Sequence, residues 1–302
     1  MLEGKFYDAL SRLRLQMSHK TSLNMSGSRK SVQKGISAEF SDFREYMQGD
    51  DLRRLDWNVY ARLDKLYIRE YMEEKEAIVS VLIDTSASMD YGAKSKAELA
   101  ADLAAVVSFL ALNNMDRLVL YDMKDMGRGF SVGGGRNAFA KVLRWLEGLS
   151  FSGELDILSA VKKMRNRGPG VTVIISDFLH KDMLVQPSGT LSKTTAEHTS
   201  YEKLLQYLNY CKQRPVILHT LAEEELRITL EGALNLIDAE TNSKLRLTMD
   251  ARIIDRYEKE LNRFMEHMKK GCTAGRGAYV LCNADKDRKQ LVFQDLRVIY
   301  DI

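Results

Sequence analysis

Six consecutive residues, Ile78-Val79-Ser80-Val81-Leu82-Ile83, limit what this chain can fold into more than any other feature. The run is aliphatic and mostly β-branched. Its length suits a strand buried on both faces, as in parallel sheets. It ends abruptly in the polar turn Asp84-Thr85-Ser86-Ala87-Ser88-Met89-Asp90. Asp84, Ser86 and Ser88 alternate along that turn, at the carboxyl end of the strand, where open α/β sheets place their ligands. A carboxylate and two hydroxyls so spaced can converge on a hard cation, which prefers oxygen. The same residue types also cap helices.

The rhythm downstream is strand and helix in alternation. Ser95-Lys96-Ala97-Glu98 has the form of a capping box and opens a helix to about Asn113. Apolar strands are predicted at 117–122, 171–176, 216–221 and 278–282, and helices at 138–149, 156–167 and 201–212. Ile254, Tyr257, Leu261, Phe264 and Met268 mark the buried stripe of a further helix. Residues 286–299 read as a final helix or helix-like tail. Strands at 78, 117, 171, 216 and 278 separated by helices describe a doubly wound, mainly parallel α/β sheet. Asp177 ends the 171–176 strand as Asp84 ends the first, so parallel strands would bring both aspartates to one rim. Residues 223–250 leave this rhythm. Two short apolar stretches there flank a polar turn at 238–243, the pattern of a β-hairpin insertion.

Composition narrows the function. The chain has 302 residues, 45% hydrophobic and 29% charged, enough for one large domain with appendages. Its net charge of +3, from 45 basic and 42 acidic residues, is too weak a bias to argue for nucleic acid or a membrane surface. Cys211, Cys272 and Cys282 form no C-x-x-C pair, and the five histidines form no zinc pattern. With no secretory leader and no transmembrane-length apolar run, a cytoplasmic protein is expected. Gly133-Gly134-Gly135-Arg136 lacks the ending of a phosphate-binding loop.

The first 76 residues fall into two parts. Residues 1–35 begin as a helix, with Leu10, Leu13 and Met17 at helical spacing, and become a basic, Ser-rich arm. Residues 36–76 mix aromatic residues with charges of both signs. They are too few for their own core and are expected to pack on the domain at 77–302, with Trp57 buried. Asp50, Asp51 and Asp56 beside Arg53 and Arg54 read as an ion-pair network rather than an acid/base site, because arginines depress carboxylate pKa values.

These residues carry a resemblance. The apolar strand followed by Asp84-x-Ser86-x-Ser88 resembles the metal-ion-dependent adhesion site of von Willebrand factor A domains, and Asp177 matches that family's later aspartate. Tyr46-x-x-Gly49-Asp50-Asp51-x-Arg53-x-Leu55-Asp56-Trp57, then Ala61-Arg62 and Arg69-Glu70-Tyr71, resembles the signature of the domain-of-unknown-function fifty-eight family. The likeness covers roughly 36–302. One position departs. Gly153 and Asp156 match a Gly-Gly-Thr-Asp turn, but Leu155 stands where the threonine hydroxyl would be, and leucine cannot ligate a cation.

The resemblance implies a Rossmann-like fold and a metal site at Asp84, Ser86, Ser88 and Asp177. Leu155 implies that the site holds Mg²⁺ (or Mn²⁺ or Ca²⁺) weakly. It also implies a non-enzymatic adaptor working with a MoxR-type ATPase of the AAA+ class or that ATPase's client. The competing class is a metal-dependent hydrolase or phosphatase using Asp84. Against it, Asp84-Thr85-Ser86 has no second copy for an aspartic-protease pair, and Ser86 stands where a haloacid-dehalogenase-like phosphatase needs a second Asp.

Overall fold

The computed structural model describes residues 4–11, 13–15, 38–73, 78–92, 95–127, 129–133, 136–164, 169–180, 183, 199–230, 232–240 and 243–301. Ile78–Ile83 lies inside a six-stranded sheet. The order is Ala278–Asn283, Gln213–Leu221, Gly170–Ser176, Ile78–Ile83, Arg117–Asp122 and Phe130–Val132. Every neighbouring pair is parallel except the last. The fold is therefore the expected doubly wound, mainly parallel α/β sheet. The antiparallel edge strand falls in a Gly-rich stretch that offered only a hairpin or a loop.

Period-two alternation sorts the central strands onto two cores. Val79, Val81 and Ile83 enter one cluster with Val173, Ile175, Val216 and Leu218. Leu82, Ile174 and Ile217 enter the other. The first core is covered by the Ala-rich helix Lys96–Asn113, whose Ser95 hydroxyl caps it by accepting from the Ala97 N–H at 3.1 Å. The second is covered by Ile157–Lys163, Ser200–Tyr210 and Ala251–Ala274. Asp156 caps the first of these by accepting from the Ser159 N–H, as expected.

The topology creates a crevice. From Ile78–Ile83 the chain crosses to Arg117–Asp122 on one side, whereas Gly170–Ser176 lies on the other and leads away to Gln213–Leu221. The register pairs Ile83 with Ile175, so the turns after these two strands open side by side at the switch point.

The chain divides into two compact units, residues 1–19 with 77–302, and residues 20–76. In the first, the short helix Gly4–Leu10 buries Phe6 and Leu10 in the core. Arg14–Leu15 pairs antiparallel with Tyr300–Asp301. The helix or helix-like tail expected at 286–299 is a helix, Arg288–Phe293, followed by a 3-10 turn, Asp295–Ile299. The expected insertion is a hairpin, with Gly232–Ile237 antiparallel to Lys244–Met249. The basic arm at 18–34 lies outside the described residues.

The second unit is built on Ala38–Glu45 paired antiparallel with Tyr67–Glu73 through a bulge near Phe40. One expectation fails here. Trp57 is 63% exposed, not buried. It opens the helix Trp57–Leu63, which buries none of its residues, and its ring meets Tyr60 edge-on. A large stability loss on Trp57→Ala therefore does not follow. The acidic residues also serve the backbone. Asp51 accepts from the Arg53 N–H, and Asp56 accepts from the N–H groups of Asn58 and Val59. Asp50 pairs with the more distant Arg44 at 2.9 Å and accepts from the Met47 N–H. Among the described residues no helix is long and apolar enough to cross a membrane.

Candidate functional site

Asp84 leaves the sheet at the crevice, its N–H still bonded to the Ile175 carbonyl at 3.0 Å. Its side chain is 2% exposed. Oδ1 accepts from the Ser86 N–H at 2.9 Å and the Ser86 hydroxyl at 2.6 Å, and Oδ2 accepts from the Ser176 hydroxyl at 2.5 Å. The Ser86 oxygen lies 3.0 Å from that of Ser88, which is only half-buried and opens the row to the surface. Neighbouring backbone fixes the turn. Ala87 donates to the Gly153 carbonyl and Ser152 donates to the Thr85 carbonyl, both at 2.9 Å. The Thr85 hydroxyl donates to Asp122 at 2.5 Å, tying the turn to the next strand.

Asp177 reaches the same crevice from the other strand. Its geometry depends on a left-handed Phe178, φ 52°, a conformation that costs a non-glycine residue about 1–3 kcal/mol. The Phe178 ring is fully buried, and its N–H donates to the Ser176 hydroxyl at 3.0 Å. His219 secures the same turn. Its Nε2 lies 2.7 Å from the Asp177 carbonyl and its Nδ1 2.7 Å from the Tyr279 hydroxyl. A carbonyl only accepts, so Nε2 carries the proton and Nδ1 accepts from tyrosine. Burial holds the His219 pKa down to about 4, which keeps the ring neutral.

Lys96 is the residue that sequence reasoning missed. It is the first residue of its helix and is fully buried. Its ammonium donates to Asp177 Oδ2 at 2.8 Å and to Glu225 Oε1 at 2.6 Å. Burial opposes its charge, but the attraction of both carboxylates outweighs that and raises its pKa. Asp177 Oδ1 accepts from the Leu179 N–H at 3.2 Å, so both oxygens of Asp177 already have donors. Asp84 has no such cation. Burial first, and the Asp177 carboxylate second, push its carboxyl up to about 6 against the bonds from Ser176 and Ser86.

Glu240, at the hairpin turn, is half-buried, and that burial raises its carboxyl pKa against the attraction of His180. Two contacts share two hydroxyl protons: Ser86 donates to Asp84, and Ser88 can donate to Ser86.

This arrangement tests the divalent cation that the resemblance implies. The oxygens of Asp84, Ser86 and Ser88 follow one another at 2.6 and 3.0 Å. Neighbouring ligands around an octahedral Mg²⁺ stand about 3 Å apart. A buried carboxylate with two serine hydroxyls is a donor set that fits a hard cation. Asp177 fits as a charge held back by Lys96 rather than as a free ligand. Leu155 is nearly buried in the second core and contributes no oxygen. Among the described residues no three His, Cys, Asp or Glu side chains cluster as metal ligands, so the site depends on its serines.

A doubly wound, mainly parallel sheet with Asp-x-Ser-x-Ser at its switch point defines the class, an α/β domain with a polar crevice at the strand ends. The family follows from comparison. Residues 42–267 match the family described as "Protein of unknown function DUF58", and the chain belongs to that family. It is 30% identical over 193 residues to uncharacterized proteins of Mycobacterium bovis and Mycobacterium tuberculosis. The match covers 59% of this chain and 61% of each relative, so the chain spans about three fifths of their length. Among solved structures it is similar to the conserved hypothetical protein BatB from Bacteroides thetaiotaomicron, with a TM-score of 0.37 and 12% identity over 74% of this chain and 98% of that one. It is also similar to an aerotolerance-related membrane protein from Bacteroides fragilis, with a TM-score of 0.38 and 12% identity over 74% and 96% of the two chains.

Proposed function

We propose that this chain is a non-enzymatic adaptor whose strand-end rim at Asp84 receives a carboxylate from a protein partner through a weakly held divalent cation. The partner proposed is a MoxR-type AAA+ ATPase or its client, in the cytoplasm. The observation that carries the reading is the buried Asp84 carboxylate, short of positive charge, joined through Ser86 to a hydroxyl at the surface. A cation bound there would supply a Lewis-acidic point that accepts an anionic oxygen from outside. The protein's own residues hold it. Asp84 and the two serines face it, and Lys96 keeps Asp177 from collapsing onto it.

The hydrolase reading has less support. Asp84 is buried, and both of its oxygens are occupied by donors. His219 spends both ring nitrogens on Asp177 and Tyr279. An attacking group needs a base within reach and an open approach.

The test is capture of a purified MoxR-type ATPase by the full chain under four conditions. A cation-bridged contact is lost with chelator and with Asp84→Ala, and changes modestly between low and high salt. A contact through the basic arm survives chelator, weakens steeply as salt shortens the screening length, and disappears without residues 1–35. Capture that persists through both chelator and Asp84→Ala would overturn the proposed rim.

A further inference from the structure

We propose that the cavity between the helices Glu223–Leu226 and Ala251–Ala274 is a second binding site, for an ammonium or guanidinium group on an aliphatic stem, as at the end of a lysine or arginine side chain. It shares no residue with the Asp84 row, and it does not rest on that rim's reading as a cation receptor.

The cavity has a volume of about 370 Å³, within the range of small-ligand pockets. Three elements line it. The register sets Asn283, at the end of the edge strand, opposite Leu221, two residues before Glu223. The long helix supplies Glu258, Leu261, Asn262 and Met265, whose spacing of three and four places them on one face. Leu226, Leu261 and Met265 make its lining apolar on one part, and Glu223, Glu258 and the two asparagines make it polar on the other.

The short helix is fixed from behind. Glu225 Oε1 accepts from the Lys96 ammonium at 2.6 Å, and its Oε2 accepts from the Ala222 N–H at 2.8 Å. The Glu225 carbonyl accepts from the Tyr257 hydroxyl, on the long helix, at 2.9 Å. The Glu223 N–H donates to Asp285 at 3.2 Å. Glu223 is therefore in place at the cavity before a ligand arrives, which lowers the ordering cost of binding.

Charge in the cavity is left unbalanced. Glu223 Oε2 accepts from the Asn283 amide, but Oε1 has only the Arg227 Nε at 3.8 Å, too long for a hydrogen bond. Arg227 is itself 80% exposed. Glu258 and Asn262 make no hydrogen bond or ion pair among the described residues. Two carboxylates thus share one loosely held cation. An incoming cationic head meets Glu223 and Glu258 while its stem covers Leu226 and Met265, the division of charged tip and apolar stem that lysine and arginine carry. An anionic ligand would be repelled by the same carboxylates. A wholly apolar one would strip water from the glutamates and asparagines and return no hydrogen bond.

The test is a titration of the full chain followed by amide chemical shifts, with three probes. Nα-acetyl-lysine methylamide presents the side chain on a peptide, n-butylamine presents the free amine, and Nα-acetyl-norleucine methylamide presents the stem without charge. The lysine compound is expected to bind with a Kd on the order of 1 mM, as suits its size, and to shift amides at 223–227, 258–265 and 283. Glu258→Gln should weaken it about fivefold, the upper range for a partly exposed ion pair. Glu258→Lys, which places an ammonium there in cis, should abolish it. Glu258 is exposed, so both variants should keep the wild-type urea midpoint. A lysine compound that binds more tightly than n-butylamine upholds the site with a polypeptide as the source of the cation, and equal affinities uphold it with free amines as the source. No binding, shifts that fall outside the cavity, norleucine bound as tightly as lysine, or an affinity unmoved by both Glu258 variants would each overturn the proposal.

Discussion

Lys96→Met is expected to destabilise the fold by roughly 3–5 kcal/mol, the cost of leaving buried charge without its partner. The ammonium is fully buried and bonds Asp177 and Glu225 at 2.8 and 2.6 Å. Methionine fills the same volume and leaves two carboxylates facing each other in a dry site. Urea unfolding at neutral pH should show a lower midpoint at an unchanged slope. Combining Lys96→Met with Asp177→Asn and Glu225→Gln should restore much of the loss, because the penalty lies in the orphaned charges rather than in the missing bonds. A midpoint unmoved by Lys96→Met would mean that the ammonium does not hold this position. The ion pair also explains why Asp177 remains on a strained turn. Lys96 and His219 grip its side chain and its carbonyl from different elements.

Asp84→Asn is expected to do the opposite and stabilise the protein at pH 7, by up to about 3 kcal/mol. Burial and Asp177 raise the Asp84 carboxyl from 3.8 to about 6 in the folded chain. Between those values the folded state binds the proton that the unfolded state has released, so stability falls as pH rises from about 4 to about 6 and stays lower above. Asparagine removes the buried charge. Its oxygen can still accept from Ser86 and its amide can donate to the Ser176 oxygen. The slope between pH 4 and 6 should flatten in the variant, followed by urea midpoints across that range. A wild type with no falling limb there, or a variant less stable than it at pH 7, would contradict the electrostatics drawn here. A residue that costs stability where it stands is a common mark of function.

What could be read from sequence had local signatures. The central strands are covered on both faces, so Ile78–Ile83 and Val171–Ser176 appear as unbroken apolar runs, and each ends in the aspartate that marks the rim. Ser95 and Asp156 announced their helices as caps, and the hairpin announced itself as two short apolar stretches about a polar turn. The rest depends on distance along the chain. Lys96 reads locally as an ordinary lysine in a first helical turn. It is buried because Asp177 and Glu225, 81 and 129 positions away, meet it at the crevice. Arg14–Leu15 and Tyr300–Asp301 are two residues each, too short for any period, and pair across nearly the whole chain. Trp57 suggested a buried anchor by residue type alone. Its place as the first residue of a capped surface helix turned the ring outward. Ala38–Glu45 escaped notice because its charges and its bulge blur the alternation that marks a strand.

The central claim is that Asp84, Ser86 and Ser88 form a receptor for a divalent cation. Calorimetric titration of Mg²⁺ and Mn²⁺ into the full chain at pH 7 tests it most directly, with Asp84→Ala and Ser86→Ala as the paired variants. The account predicts weak, saturable binding of one cation to the wild type that both variants abolish. No binding to the wild type, or binding that survives Asp84→Ala, would contradict it.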